Sequence, residues 1–245
     1  MLIPEQQLRR LSDRALLKRR VGEVCHSISG TYIDRQLAGL EQDLWQAGIH
    51  HLPIEVYLGD EWFTPDGSSA IAIPFYLTRP RLRELERRQM GYVEGGTPLH
   101  CRKLLRHEAG HAFDHAYGIS ARRDFQRLFG QPKTYQTGRY HYDKGSQDFV
   151  SHLEDGYGQS HPFEDFAETF AVCLDPDMPW QLLYENRPKA LAKLHYVDQL
   201  ITRFGGRKPR YPLLHNYPYS AHRMRITLER YYKKRKPQVG IPRSG

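Results

Sequence analysis

A chain of 245 residues is long enough for one large domain or two small ones, and 39 % hydrophobic with 26 % charged residues is a globular rather than a disordered or fibrous composition. No apolar run is long enough to span a bilayer, the N-terminus MLIPEQQLRRLSDRALLKRR carries too much charge for a signal peptide, and three widely spaced cysteines (Cys25, Cys101, Cys173) make neither a disulfide framework nor a cysteine zinc site. A reducing cytoplasm is therefore the expected compartment. The net charge of +8 permits an anionic partner without naming one.

Part of that charge is local. Arg79, Arg81, Arg83, Arg87 and Arg88 form one cluster, and Lys233, Lys234, Arg235 and Lys236 form another. Solvated faces and a frayed basic tail are the expected reading. A nucleic-acid surface is the alternative, but no helix-turn-helix, RNP or zinc-finger pattern accompanies either cluster.

Residues 1–30 read as a loosely patterned arm. Leu37, Leu40 and Leu44 make the apolar stripe of a helix from about Asp34 to Ala47, stopped by Gly48. Ile54 to Leu58 alternate like a half-buried strand. Pro65-Asp66-Gly67 is turn chemistry, leading into a second strand over residues 70–77. Pro74 cannot donate to a ladder, which assigns that strand to a sheet edge. A polar helix covers Pro80 to Met90. The next helix is well delimited: Thr97 suits an N-cap, Pro98 the first turn and Gly118 the C-terminal stop. Residues 130–160, rich in glycine and tyrosine, read as a long irregular connection with short strands. A strongly apolar helix starts near Pro162 and ends at Asp175-Pro176. Another runs from Pro188 to Phe204, and a basic, partly packed helix closes the chain near residues 220–234.

The helix between Thr97 and Gly118 carries His107-Glu108-Ala109-Gly110-His111. Residues four apart lie on one helical face, so both imidazoles can reach one Zn²⁺. Glu108 can then take a proton from zinc-bound water. A hydrolytic zinc site also wants a third protein ligand. A histidine six residues after His111 would supply it, but that position is Tyr117. Glu164, on the apolar helix after Pro162, is the favoured third ligand. Glu168, one turn on, is placed to accept from the far nitrogen of a ligand histidine. Asp114, His115, His141, His152 and His161 compete as ligands. Of these, Asp114 is expected to orient His111 or to cap the structure, and His115 to be packed or on the surface.

The stretches VYLGDEWF, AIAIPFYL, LRHEAGHAFDHAYG and SHPFEDFAETFAV together resemble a largely uncharacterised family of bacterial zinc-binding metallopeptidases, over residues 30–205. The family looks gluzincin-like, as thermolysin is. The resemblance implies His107, His111 and Glu164 as ligands of one Zn²⁺, Glu108 as catalytic base, and a peptide or protein substrate. The expected fold is α+β and zincin-like, mainly helical, with a small mixed or antiparallel sheet packed on the motif helix. The expected organisation is an arm (1–30), a metallopeptidase domain (31–217) and a basic C-terminal helix and tail (218–245). Tyr157, seven residues before Glu164, is the candidate oxyanion donor, with Tyr142, His161 and Tyr196 as alternatives. Ile71, Ala72 and Ile73 would pair with substrate backbone. A zinc-binding regulator or nucleic-acid-associated protein without hydrolytic activity is the rival reading.

Overall fold

The computed structural model describes residues 2–131, 142–154, 156–209, 215 and 217–239, the last three of these without their side chains. In chain order the helices are α1 (Glu5–Arg10), α2 (Asp13–Leu17), α3 (Val21–Val24) and α4 (Tyr32–Gln46). The strands β1 (Glu55–Gly59) and β2 (Ala70–Pro74) follow. Then come α5 (Pro80–Met90), α6 (Pro98–Tyr117), α7 (Arg123–Phe129), α8 (Pro162–Leu174), α9 (Trp180–Leu183), α10 (Pro188–Phe204) and α11 (Leu228–Val239). No helix among the described residues is long and apolar enough to cross a membrane.

The motif helix α6 is the centre of the molecule. It packs on α4, on α8 and on β2, and α10 covers the far side of α8. Its ends form as the sequence dictates. Thr97 Oγ1 accepts from the His100 N–H, and Gly118 takes the left-handed conformation at φ 62°. Leu105, Ala109, Phe113 and Ala116 are fully buried along its inner side. A buried ion network fixes the helix from behind. Asp43 on α4 accepts from Arg102 Nε at 2.8 Å and from Arg106 Nε at 2.7 Å, and Arg106 also pairs with Asp175 at the end of α8.

Of the mixed or antiparallel sheet expected, the antiparallel form is not what joins the two strands: β1 and β2 run parallel, with Glu55 opposite Ala70 and Gly59 opposite Pro74. The turn at 65–67 does reverse the chain, but between β2 and Phe63, which makes a single antiparallel bridge to Ala72. The chain thus leaves β1, crosses to the other edge of β2, touches down at Phe63 and turns into β2. That route places β2 between two partners and buries all five of its residues. Pro74 sits at the end of the strand, where its missing N–H costs no ladder bond.

Within residues 1–30, read from the sequence as a loose arm, the chain forms α1–α3. Their Leu8, Leu16, Val21, Val24 and Cys25 are fully buried. The two ends of the chain meet. Arg20 bridges antiparallel to Thr227, and Leu228 N donates to Arg19 O at 2.8 Å. Leu228, Tyr231 and Tyr232 of α11 belong to the same hydrophobic cluster as α1–α6. The irregular stretch around 142–160 holds no strand among its described residues, only a 3-10 turn at Tyr157–Gln159. His141 lies outside the described residues.

Candidate metal centre

α6 and α8 can approach because position 110 is glycine. A Cβ there would lie 2.9 Å from the Cα of Ala167 and 3.2 Å from the Cβ of Phe170. The two helix backbones touch at this point, and the contact brings the first turn of α8 over the histidine pair. His161 caps α8, its Nδ1 accepting from the Phe163 N–H at 3.1 Å. Glu164 follows in the first turn.

Three ligand-type atoms converge. His107 Nε2 lies 3.0 Å from Glu164 Oε2, His111 Nε2 lies 3.2 Å from the same oxygen, and the two Nε2 atoms are 3.3 Å apart. Ligands about 2.05 Å from a tetrahedral Zn²⁺ stand about 3.3 Å from one another, close to the sides of this triangle. Among the described residues, His107, His111 and Glu164 are the group able to share a metal ion.

The proton inventory also fits a cation. Glu168 is fully buried; its Oε1 meets His107 Nδ1 at 2.8 Å, and its Oε2 accepts from the N–H groups of His152 and Leu153, both at 2.8 Å. An ionised carboxylate only accepts, so His107 carries its hydrogen on Nδ1. Nε2 then presents a lone pair to the triangle, where the Glu164 oxygen and the His111 ring also point. Without a positive charge those groups repel. Burial works against charge on His107, yet the Glu164 and Glu168 carboxylates outweigh it and raise its pKa well above the usual histidine value. Burial likewise works against an ionised Glu164, and the two imidazoles outweigh it, holding the carboxyl far below the usual range. A divalent cation supplies that same positive charge without protons.

Glu108 sits beside this triangle, nearly fully buried. Thr64, from the crossing between β1 and β2, places its Oγ1 2.9 Å from Glu108 Oε2 and 3.2 Å from the Glu108 carbonyl oxygen. Burial raises the Glu108 pKa; the nearby imidazoles and the Thr64 hydrogen bond pull it back. His107, Glu108, His111 and Glu164 open into one cleft of about 960 Å³, bordered by Phe63, Thr64, Leu99, Leu104, Tyr157 and Phe163 among others.

The remaining candidates separate cleanly. Tyr157 borders the cleft with its ring 5.7 Å from that of His107. Tyr196 instead donates to Asp124 at 3.0 Å. His152 stands behind the site, its Nε2 against the Lys103 carbonyl, and burial lowers its pKa to about 4. Asp114, expected to orient His111 or to cap the structure, accepts from the Ser120 N–H at 2.7 Å through its carboxylate and closes the turn after α6. His115, expected to be packed or on the surface, lines the cleft, held by an Nδ1–H bond to Ser68 O at 2.8 Å. Ile71, Ala72 and Ile73 are fully buried and do not border the cleft, and the Ala72 N–H is already bonded to Phe63 O at 2.9 Å. The expectation that they face substrate is therefore corrected: the Phe63–Thr64 segment covers that edge of β2.

Two residues escaped the sequence reading. Gly110 had a signal, since glycine inside a helix costs about 1 kcal/mol relative to alanine and so marks a close approach. Thr64 had none, because a loop threonine carries no periodicity.

Residues 82–177 match the family model described as "Putative zinc-binding metallo-peptidase". The matched region runs from α5 to just beyond α8 and contains His107, Glu108, His111, Glu164 and Glu168. It is the family that the sequence motifs resemble. No curated protein and no solved structure matches the chain.

Proposed function

We propose that the protein is a zincin-like, zinc-dependent metallopeptidase that hydrolyses peptide bonds. The observation that carries this reading is the 3.0–3.3 Å triangle of His107, His111 and Glu164 in one cleft with Glu108. One Zn²⁺ per chain would be held by those three side chains, leaving a position open to water. When bound, zinc acidifies water and polarises a scissile carbonyl.

The chain's own groups then divide the work. Thr64 holds Oε2 of Glu108, which leaves Oε1 to take the proton of the attacking water and return it to the leaving amine. Glu168 fixes the tautomer and direction of His107. Tyr157, which borders the cleft, would donate to the developing oxyanion. An extended peptide segment would bind in the cleft, where Leu99, Leu104 and Phe163 offer apolar contacts. A cytoplasmic setting belongs to the same reading, in keeping with three free cysteines.

Proteomic cleavage profiling of the zinc-loaded protein against Glu108→Gln tests the reading. The wild type should generate new peptide termini and the variant should not, with zinc retained in both. Zinc bound but no products from the wild type would leave a zinc-binding regulator in place of a peptidase. Equal products from both forms would remove Glu108 as the base.

A further inference from the structure

The chain's positive charge is segregated in space. Residues 2–31, 80–90 and 218–239 contain 17 of the 36 Lys and Arg residues but 6 of the 28 Asp and Glu residues. The rest of the chain holds more acidic than basic residues, although the whole carries +8. These three stretches come together as one lobe. Asp13 on α2 pairs with Arg88 on α5 at 3.0 Å; Glu86 on α5 pairs with Arg235 on α11 at 2.6 Å; and α11 packs on α2 as well. The bridge between Arg20 and Thr227 closes it.

A few of these cations serve the fold. Arg81 and Arg235 turn inward to Asp13 and Glu86. Twelve others are exposed and have no ion-pair partner among the described residues; they include Arg14 and Lys18 on or capping α2, Arg87 on α5, and Arg230, Lys233 and Lys234 on α11. On α11 the exposed trio is spaced i, i+3, i+4, opposite the buried Leu228, Tyr231, Tyr232 and Arg235. Such spacing puts all three on one helical face. Holding so many like charges together with few carboxylates among them costs self-repulsion, which an anionic partner would relieve.

We propose that this lobe is a docking surface for the phosphate backbone of nucleic acid, read without regard to base sequence. Arginine supplies 13 of the 17 cations, and its planar fork suits phosphate oxygens better than the ammonium point charge does. An anionic membrane is the weaker match, because stable adsorption needs inserted apolar side chains. The large apolar side chains exposed on the lobe, among the described residues, are Leu2 and Tyr219, and neither lies on α2, α5 or α11. Glu61, Asp66, Glu94 and Glu154 border the metal cleft against Lys103 and Arg235, and this acidic excess disfavours the same ligand there. Nucleic acid would therefore lie beside the cleft, next to Arg235, and leave the metal centre free.

The test is fluorescence anisotropy of the zinc-loaded full chain with a labelled 20-bp duplex of mixed sequence, over a salt series. Six neutralised phosphates predict a log–log slope of about −5 and a loss of roughly 10³ in affinity between 50 and 200 mM salt. The triple variant Arg230→Gln/Lys233→Gln/Lys234→Gln should flatten the slope by about 3 while keeping zinc content and helicity. The double variant Arg14→Gln/Lys18→Gln should flatten it by about 2. No binding at 50 mM salt, or an unchanged slope in both variants, overturns the proposal. Binding to vesicles containing phosphatidylglycerol that is tighter than binding to the duplex also overturns it, in favour of a membrane. Zinc content and peptide cleavage play no part in this readout, so it stands or falls apart from the peptidase reading.

Discussion

The α6–α8 pair and the lobe built from the two chain ends are both rich in charge, and they use it in opposite ways. Between α6 and α8 the charges are buried and bonded. His107 lies between Glu164 and Glu168, and Arg106 between Asp43 and Asp175. Each such bond fixes a direction, because a buried charge without a partner is expensive. On the terminal lobe most cations face solvent, and a few inward ones, such as Arg235 against Glu86, hold the helices. Charge acts as geometry in the first region and as a field in the second. A single substitution should therefore cost much in the first and little in the second.

The contrast can be broken at several points. Asp43→Ala should have the largest effect, leaving Arg102 and Arg106 without their shared carboxylate behind the motif helix. Loss of one partner from a buried pair costs about 3–5 kcal/mol, readable in urea unfolding. A cost below about 1 kcal/mol would place the network among decorative surface pairs. Gly110→Ala comes next. Its new Cβ meets the backbone of Ala167, and overpacking costs about 1–3 kcal/mol. Metal affinity should fall with stability, since the α6–α8 spacing sets the triangle; an undiminished affinity would separate the two. Glu168→Gln should leave the fold intact and weaken zinc binding about 10- to 100-fold, measured by competition with a chelator. At the other end of the scale, Lys233→Gln or Lys234→Gln should shift stability by no more than about 0.5 kcal/mol. A shift of several kcal/mol from either would mean the exposed face of α11 carries structure after all.

The sequence was most legible where local signals agree. Thr97, Pro98 and Gly118 mark both ends of α6, and Pro80, Pro162 and Pro188 each open a helix as first-turn residues. Spacing alone put His107 and His111 on one face, and the acidic first turn of α8 offered Glu164. Where chain-distant contacts decide, local reading failed. Helices of four to seven residues such as α1, α3 and α7 have too few turns to show a period, and they form by packing. The parallel pairing of β1 with β2 was hidden because a turn sequence between two strands suggests a hairpin. Here the hairpin partner is the single residue Phe63. Thr64 reaches Glu108 through that same crossing, so its role was invisible for the same reason. For Asp114 the sequence left two roles open, orienting His111 or capping the structure, and only the folded turn after α6 shows its carboxylate accepting from the Ser120 N–H.

Zinc stoichiometry by mass spectrometry on wild type, His111→Ala and Glu164→Ala addresses the metal centre most directly. The 3.0–3.3 Å triangle predicts about one zinc per wild-type chain, as in a site with three protein ligands. Both variants should lose most of it at equal free zinc while keeping their helical content. Full zinc occupancy in Glu164→Ala would mean that another side chain completes the site and that the α6–α8 convergence does not build it.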